Sequence, residues 1–234
     1  MRDDSPQGAG ELWWSRRGEL VLSSDNPWLS GVASRQLDHT KPDEVERSQP
    51  SPHLTGPAAP QPAVPVPYAV DRLPRRAVSI HAPLWWVGTH GGAGESTLAQ
   101  LLAGSLAAGH AWPQLTAATG DLVTVKVVLV ARSNLAGLST AQRAATEWAA
   151  AAVTGVDLVG LVIIADAPGR LPRPLKDLAA LVAGAVPRVW HLPWSEAWRV
   201  GEVQQASSSK EVRRLLADVR ELVPQTHAAH RGTH

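Results

Sequence analysis

The sequence predicts an α/β fold with a doubly wound, mainly parallel sheet of about four or five strands. Continuous apolar runs of strand length alternate along the chain with segments of helical periodicity. This alternation is typical of crossover units, in which helices cover both faces of a parallel sheet. A glycine-rich turn joins the first of these strands to the first helix. The length of 234 residues, 44% of them hydrophobic, is enough to bury such a sheet.

The chain divides into three predicted parts. Residues 1–76 form a disordered, proline-rich arm, residues 77–202 form the α/β domain, and residues 203–234 form a C-terminal helix with a disordered tail. Eight prolines fall between Pro42 and Pro67. Such a stretch favours extended, solvated backbone because proline cannot donate the hydrogen bonds of a helix or sheet.

The arm also contains Trp13, Trp14 and Trp28, which stand among charged and small residues without a sustained period. Isolated tryptophans in a disordered segment have two interpretations. They form a short docking motif for a partner protein, or they fold back onto the domain. The partner protein itself is not identified by the sequence.

The elements of the domain are predicted in order from apolar runs and from the residues that end them. The strands cover residues 78–88, 124–130, 158–165 and 188–192. The helices cover residues 95–108, from Ser139 or Thr140 to Ala152, residues 174–184, and a final helix that ends before Pro224. Gly155 and Gly184 end two of these helices, and Pro174 suits a first helical turn. Ser208 and Glu211 form a capping box at the start of the last helix.

The glycine-rich turn has the layout of a phosphate-binding loop, in which a strand, the loop and a helix follow one another. Glycines let the backbone N–H groups point inward, and the N-terminus of the helix adds partial positive charge. Candidate cofactor-binding residues are therefore Gly91, Gly92, Ala93, Gly94, Glu95, Ser96 and Thr97. The hydroxyl of Ser96 is the candidate ligand for Mg²⁺ if a nucleotide binds.

These residues resemble the deviant phosphate loop of the MinD/ParA group of P-loop ATPases, whose pattern is Lys-Gly-Gly-x-Gly-Lys-Ser/Thr-Thr. The glycines, Ser96 and Thr97 fall on that pattern. The resemblance implies P-loop topology and, as cofactors, ATP with Mg²⁺. His90 stands where the group has the lysine that reaches the nucleotide of the partner subunit, and Glu95 stands where it has the lysine that contacts the β- and γ-phosphates.

The charge reversal at Glu95 argues against an ordinary Mg-triphosphate site. A lysine about 4 Å from a phosphate gains roughly 4 kcal/mol at an effective dielectric near 20, and a carboxylate there suffers repulsion of similar size. The group also has an Asp-bearing strand and an Asp-x-x-Gly strand after the first helix. Here roughly 15 residues separate that helix from residues 124–130, and Asp121 is the sole carboxylate among them. No catalytic residue is assigned, because phosphoryl transfer has no evident machinery.

Residues 77–202 are also similar to an uncharacterised actinobacterial family with a P-loop-like core. Its landmarks are the glycine loop, residues 128–132, residues 165–172 and residues 189–194. This resemblance implies a fold and no established activity.

Three further features have two interpretations each. Asp166 follows a strand and lies where open parallel sheets bind ligands, or it braces a proline-rich loop together with Arg170. Arg132 faces a phosphate, or it pairs with Glu95 across the loop. The tryptophans near the end of the domain pack in the core and on its flank, or form an interaction patch; they are Trp190, Trp194 and Trp198.

The composition excludes several functional classes. With 22 basic and 21 acidic residues, nothing in the overall charge indicates nucleic acid or a membrane surface. The lack of cysteine excludes disulfides and thiolate metal sites. The N-terminus has no signal peptide and no apolar run is long enough to span a bilayer, so a cytoplasmic protein is expected.

The leading functional prediction is a degenerate, non-hydrolysing P-loop protein that acts as an adaptor or regulator. The alternative is an active ATPase of the MinD/ParA type, acting as a homodimer in positioning, partition or transfer of cargo. A third interpretation is a small non-nucleotide ligand bound between residues 91–96, Arg132 and Asp166.

Overall fold

A computed structural model describes residues 54–203 and 209–223 of the chain. The strands are β1 (Arg75–Val78), β2 (Trp85–Gly88), β3 (Leu106–Gly109), β4 (Trp112–Thr116), β5 (Leu122–Val123), β6 (Val125–Arg132), β7 (Val156–Ile164) and β8 (Val189–Leu192). The helices are α1 (Glu95–Leu101), α2 (Leu135–Ala149), α3 (Arg173–Ala183), α4 (Glu196–Arg199) and α5 (Lys210–Leu222). Residues Ala69–Asp71 form a 3₁₀ turn just before β1.

The main sheet has five parallel strands in the order β3-β2-β6-β7-β8. The predicted α/β class with a parallel sheet is confirmed. The central strands are apolar throughout because both faces of the sheet are covered. On β6, for example, Leu129 and Ala131 pack with α2 and α3, whereas Val128 and Val130 pack with α1 and α5. The sheet is therefore wound on both sides.

A second sheet has the order β1-β4-β5, with β1 parallel and β5 antiparallel to β4. Trp112 and Leu115 of β4 belong to the same apolar cluster as α2 and α3. The sequence predicts no strand between Gly109 and Thr124, and that prediction is wrong. These strands are five and two residues long, so they leave little periodicity to detect.

The helix predicted over residues 95–108 ends early. α1 stops at Leu101, Gly104 turns the chain at a φ of +81°, and Leu106–Gly109 forms the edge strand β3 beside β2. Leu98 and Leu102 have helical spacing because both are buried against the sheet. Leu106 has the same spacing from Leu102, but it is partly buried as a residue of β3 and not of the helix.

Two helix caps also differ from the prediction. α2 begins at Leu135 because the side chain of Asn134 accepts a hydrogen bond from the Gly137 N–H. This cap lies five or six residues before the expected ones. α5 is capped by Ser209, whose Oγ accepts from the Val212 N–H. Ser208, the predicted cap, lies outside the described residues.

Part of the segment predicted as an arm lies against the domain. The Thr55 N–H donates to the Pro187 carbonyl and the Gln61 N–H donates to the Ala149 carbonyl. Val64 and Leu73 pack on the main apolar cluster. The tryptophans at positions 13, 14 and 28 lie outside the described residues.

A buried carboxylate joins α2 to the second sheet. Glu147 is fully buried and accepts hydrogen bonds from Arg75 Nη1 at 2.7 Å, from the Trp112 indole N–H at 2.8 Å and from the Leu73 N–H at 3.2 Å. Nothing in the sequence pattern singled out these residues. Among the described residues, no helix combines the length and apolar character needed to cross a membrane.

Candidate functional site: a crevice at the carboxyl edge of the sheet

The candidate site lies at the point where the connections of the main sheet diverge. From β2 the chain passes through α1 to β3 on one side, and from β6 it passes through α2 to β7 on the other. In open parallel sheets the crevice outside the carboxyl ends of such neighbouring strands is the usual place for a ligand. The ends of β2, β6, β7 and β8 meet here around a crevice of about 330 Å³.

The glycine loop forms one wall of this crevice. Thr89 is buried, and its N–H donates to the Val130 carbonyl at 2.9 Å, so the loop starts on the backbone of β6. Gly92 and Gly94 have φ values of +75° and +109°, which side-chain-bearing residues rarely adopt. A Cβ on Gly94 would also lie 2.8 Å from the Ile164 side chain. These glycines therefore allow both the loop conformation and its close approach to β7.

His90 ties the loop to the end of β6. Its Nε2 accepts a hydrogen bond from the Arg132 N–H at 3.1 Å, and its Nδ1 lies 2.9 Å from the Gly91 carbonyl. Because Nε2 is the acceptor, the neutral ring carries its proton on Nδ1 and donates to Gly91. Gly137 of α2 packs against this arrangement, and a Cβ there would lie 2.9 Å from His90 Nε2.

Glu95 turns its carboxylate inward. The residue is 7% exposed, and its Oε2 accepts a hydrogen bond from the Gly94 N–H at 3.1 Å. Its Oε1 lies 3.4 Å from Nε2 of His110, which follows β3. A Cβ on Gly88 would lie 2.6 Å from Oε2, so only glycine at the end of β2 leaves room for this carboxylate. Glu95 is not among the residues that line the crevice.

Arg132 does not pair with Glu95, which was one of its two predicted roles. Glu95 pairs with His110 instead, and the Arg132 guanidinium donates through Nε to the Gly92 carbonyl and through Nη1 to the Ala165 carbonyl, each at 3.2 Å. The side chain therefore bridges the glycine loop and the end of β7 while it lines the crevice.

The structure gives the other predicted residues different environments. Ser96 is exposed in the first turn of α1, Thr97 is half-buried beside it, and Ala93 is fully buried. Asp166 is exposed and lines the crevice, and its backbone N–H donates to Oγ of the buried Ser133 at 3.1 Å. Within the described part of the chain, Asp166 forms no ion pair with Arg170.

The three late tryptophans separate into different roles. Trp190 is buried and its indole N–H donates to Asp218 of α5 at 2.9 Å, as core and flank packing predicts. Trp194 and Trp198 line the crevice, and the guanidinium of Arg199 lies 5.5 Å from the centre of the Trp194 ring. Sequence reasoning missed Arg199, because α4 is only four residues long and leaves no periodic signal.

Two further properties of the described residues concern metal binding and titration. In residues 54–203 and 209–223, no three histidine, aspartate or glutamate side chains are grouped closely enough to hold a metal ion. In β8, partial desolvation lowers the pKa of His191 from its ordinary value of 6.5, although the residue remains in contact with solvent.

Comparison with known proteins adds one finding to this geometry. A family model matches residues 82–216, which is more than half of the chain. The chain belongs to DUF6668, a family of unknown function. The matched segment of this DUF6668 member contains the glycine loop and all four strand ends around the crevice. Neither a curated protein nor a solved structure matches the chain.

Proposed function

We propose that this DUF6668 protein is a degenerate, non-hydrolysing P-loop-like protein that acts as an adaptor or regulator. The observation that carries this proposal is the contact between the Glu95 carboxylate and the Gly94 N–H. In a working phosphate loop the backbone N–H groups are free to receive the phosphates of a nucleotide. Here the loop directs one of them to its own carboxylate.

The surroundings of Glu95 oppose its displacement by a nucleotide. The carboxylate lies between the end of β2 and His110, where the missing side chain of Gly88 leaves space for it. A triphosphate would have to approach a buried anion or force it out of this space. At an effective dielectric near 20, two like charges about 4 Å apart repel by roughly 4 kcal/mol, half of the binding free energy of a micromolar ligand.

The second replaced lysine position supports the same proposal. In the group that the loop resembles, this lysine reaches out to the nucleotide of a second subunit. His90 instead bonds to the backbone of Arg132 and of Gly91. Both positions that hold a lysine in that group thus contain residues whose polar atoms contact neighbouring groups of the protein.

The strands beside β2 offer no replacement for the metal-holding carboxylates of such enzymes. β3 is followed by His110, and β6 ends in Arg132. Basic side chains in place of carboxylates at these two positions suit a platform that has lost phosphoryl transfer, since that reaction needs a carboxylate to hold Mg²⁺ and a group to position water.

Calorimetry and phosphate release test the proposal directly. We expect the full-length protein to give no saturable heat with Mg-ATP and no phosphate release. Glu95→Lys restores the cation and is the variant in which weak Mg-ATP binding is expected. Glu221→Lys, which makes the same charge change at an exposed site on α5, serves as the control and is expected to stay silent. Phosphate release by the wild-type protein that Ser96→Ala abolishes would establish the ATPase alternative.

The adaptor role requires a partner protein, and the tryptophans of residues 1–76 are the proposed contact. The test is a pull-down with the full-length protein and with a variant in which Trp13, Trp14 and Trp28 are changed to alanine. Both should fold, and the sets of proteins that they capture should differ. If both capture the same proteins in equal amounts, the contact lies on the domain instead.

A further inference from the structure

We propose that the crevice at the carboxyl edge of the sheet binds a small organic anion, with its phosphate or carboxylate group between Arg132 and Arg199. The inference does not rest on the proposed function, because neither arginine belongs to the phosphate loop. It concerns the far wall of the crevice, formed by the residues that follow β6, β7 and β8.

Arg132 is held in place by neutral partners. Its Nε and Nη1 each donate to a backbone carbonyl, those of Gly92 and Ala165, at 3.2 Å. Carbonyl groups orient a guanidinium without cancelling its charge. The remaining N–H groups are therefore fixed and still cationic, as bidentate recognition of a carboxylate or phosphate requires.

Arg199 is oriented in a similar way by an aromatic ring. Its guanidinium lies 5.5 Å from the centre of the Trp194 ring, a distance typical of a cation–π contact. The Trp194 indole N–H is turned away to Glu196, at 3.2 Å. The ring thus holds the Arg199 guanidinium at the crevice wall, and the N–H groups of the guanidinium remain available to a ligand.

Arg132 and Arg199 differ from the arginines whose charge is balanced by a nearby carboxylate. Arg75, Arg143, Arg173 and Arg214 each lie within 4 Å of a carboxylate oxygen. In the part of the chain that the structure describes, Arg132 and Arg199 form no such pair. Two oriented guanidiniums without a counter-ion, on the wall of one concave site, are expected to attract an anion.

An apolar pocket continues from the crevice and fits the rest of the ligand. It has a volume of about 240 Å³ and lies under the proline-rich loop after β7. Asn134 and Asp166 belong to both spaces. The remaining walls are mainly apolar and include Ala167, Pro168, Leu171, Pro172 and Leu175. A flat or aliphatic body attached to the anionic group would bury its surface here.

A change at Asp166 should alter the affinity for an anion in the opposite direction from a change at either arginine. Asp166 is the sole carboxylate among the residues that line the crevice. Because it repels an anion, removing its charge should tighten binding, whereas loss of either arginine should weaken it. A site that bound a cation would respond in the reverse order.

Titration calorimetry of the full-length protein with phenyl phosphate and with inorganic phosphate tests the proposal. We expect saturable binding of phenyl phosphate, roughly tenfold tighter than inorganic phosphate because of the apolar pocket. Arg132→Gln and Arg199→Gln should each weaken it by about tenfold or more, the loss expected for a charge-assisted hydrogen bond. Asp166→Asn should tighten it about threefold at partial solvent screening. Arg173→Gln, which removes an arginine that is 92% exposed on α3, should change nothing.

The proposal is overturned if neither compound binds more tightly than about 10 mM, or if Arg199→Gln and Arg173→Gln have equal affinity. Arg199 is at the surface, so this comparison holds even if Arg132→Gln fails to fold. Binding that needs Mg²⁺ and is lost in Ser96→Ala would place the ligand on the loop, against both this inference and the proposed function. Absence of phenyl phosphate binding together with absence of Mg-ATP binding would overturn the inference alone.

Discussion

Two buried glutamates, Glu95 and Glu147, show how differently this fold handles a carboxylate. Glu147 is fully buried and is bonded by a guanidinium, an indole N–H and a backbone N–H, at 2.7, 2.8 and 3.2 Å. Glu95 is 7% exposed and has one backbone N–H at 3.1 Å and a histidine nitrogen at 3.4 Å. The first carboxylate has a permanent cation, whereas the second has a partner that is charged only when protonated.

The difference indicates separate roles. Glu147 joins α2 to the second sheet, so its contacts hold together parts of the chain that are distant in sequence. Glu95 contacts the residue before it and His110, so its contacts set the conformation of one loop. We therefore expect Glu147 to control the stability of the whole domain and Glu95 to control what the loop can bind.

The largest effect is expected for Glu147→Gln. The change leaves the Arg75 guanidinium without its buried counter-ion, and breaking a buried pair in this way costs about 3 kcal/mol of unfolding free energy. Urea denaturation followed by tryptophan fluorescence measures the loss. Asp157→Asn breaks the exposed pair with Lys126 and should cost less than about 1 kcal/mol. Equal losses in the two variants would remove the distinction between the buried pair and an exposed one.

Gly137→Ala should destabilise by about 1–3 kcal/mol, the range for an over-packed site. In an exposed helix the same change stabilises by up to about 1 kcal/mol, so the sign is diagnostic. The new methyl group would press on the Arg132 carbonyl and on His90, which together pin the glycine loop. Gly91→Ala is the matched control, because a Cβ there meets nothing within 4 Å. A stabilised Gly137→Ala variant would contradict the packing of His90 against α2.

Glu95→Gln should cost only about 1 kcal/mol of unfolding free energy, since it removes one partly exposed charge pair and retains an acceptor for the Gly94 N–H. The local effect should be clearer than the global one. Amide exchange of Gly94 should accelerate in Glu95→Ala and remain near the wild-type rate in Glu95→Gln. If Glu95→Gln lost as much unfolding free energy as Glu147→Gln, then Glu95 would also be a buried counter-ion that stabilises the whole domain.

The smallest effect is expected for His191. Among the described residues it forms no ion pair with a carboxylate, so its pKa reports the effect of desolvation without that of a counter-ion. Burial lowers its pKa in the folded state, so below pH 6.5 the unfolded chain binds more protons. The free energy of unfolding should therefore decrease slightly as the pH falls from 6.5 to the lowered pKa of His191. In urea denaturation at several pH values, His191→Asn should reduce the change of unfolding free energy with pH. If that change stays the same, other titrating groups cause it.

The fold was predictable where burial dominates the sequence pattern. β6, β7 and α3 follow from continuous apolar runs and from Pro174, because a parallel strand buried on both faces admits few polar residues. β3, β4 and β5 were not predicted, since strands of two to five residues carry almost no periodicity. The positions of β3 and β4 depend on β2 and β1, which lie well before them in the chain.

The site was predictable only in its location. The glycine pattern places Gly94 and Glu95 at the start of α1, and the parallel strands bring Arg132 and Asp166 to the same edge. The direction of the Glu95 side chain depends on the space at Gly88 and on His110, which comes from a strand the sequence did not reveal. Likewise, Arg132 bonds to carbonyls rather than to Glu95 because that carboxylate already faces the other side of the loop.

A crystal structure of the protein soaked with Mg²⁺ and a non-hydrolysable ATP analogue shows directly whether the glycine loop can hold a nucleotide. We expect a glycine loop without a triphosphate, with the Glu95 carboxylate still against the Gly94 N–H and beside His110. A triphosphate seated across residues 91–97, with magnesium at Ser96 and the Glu95 side chain displaced, would contradict this expectation.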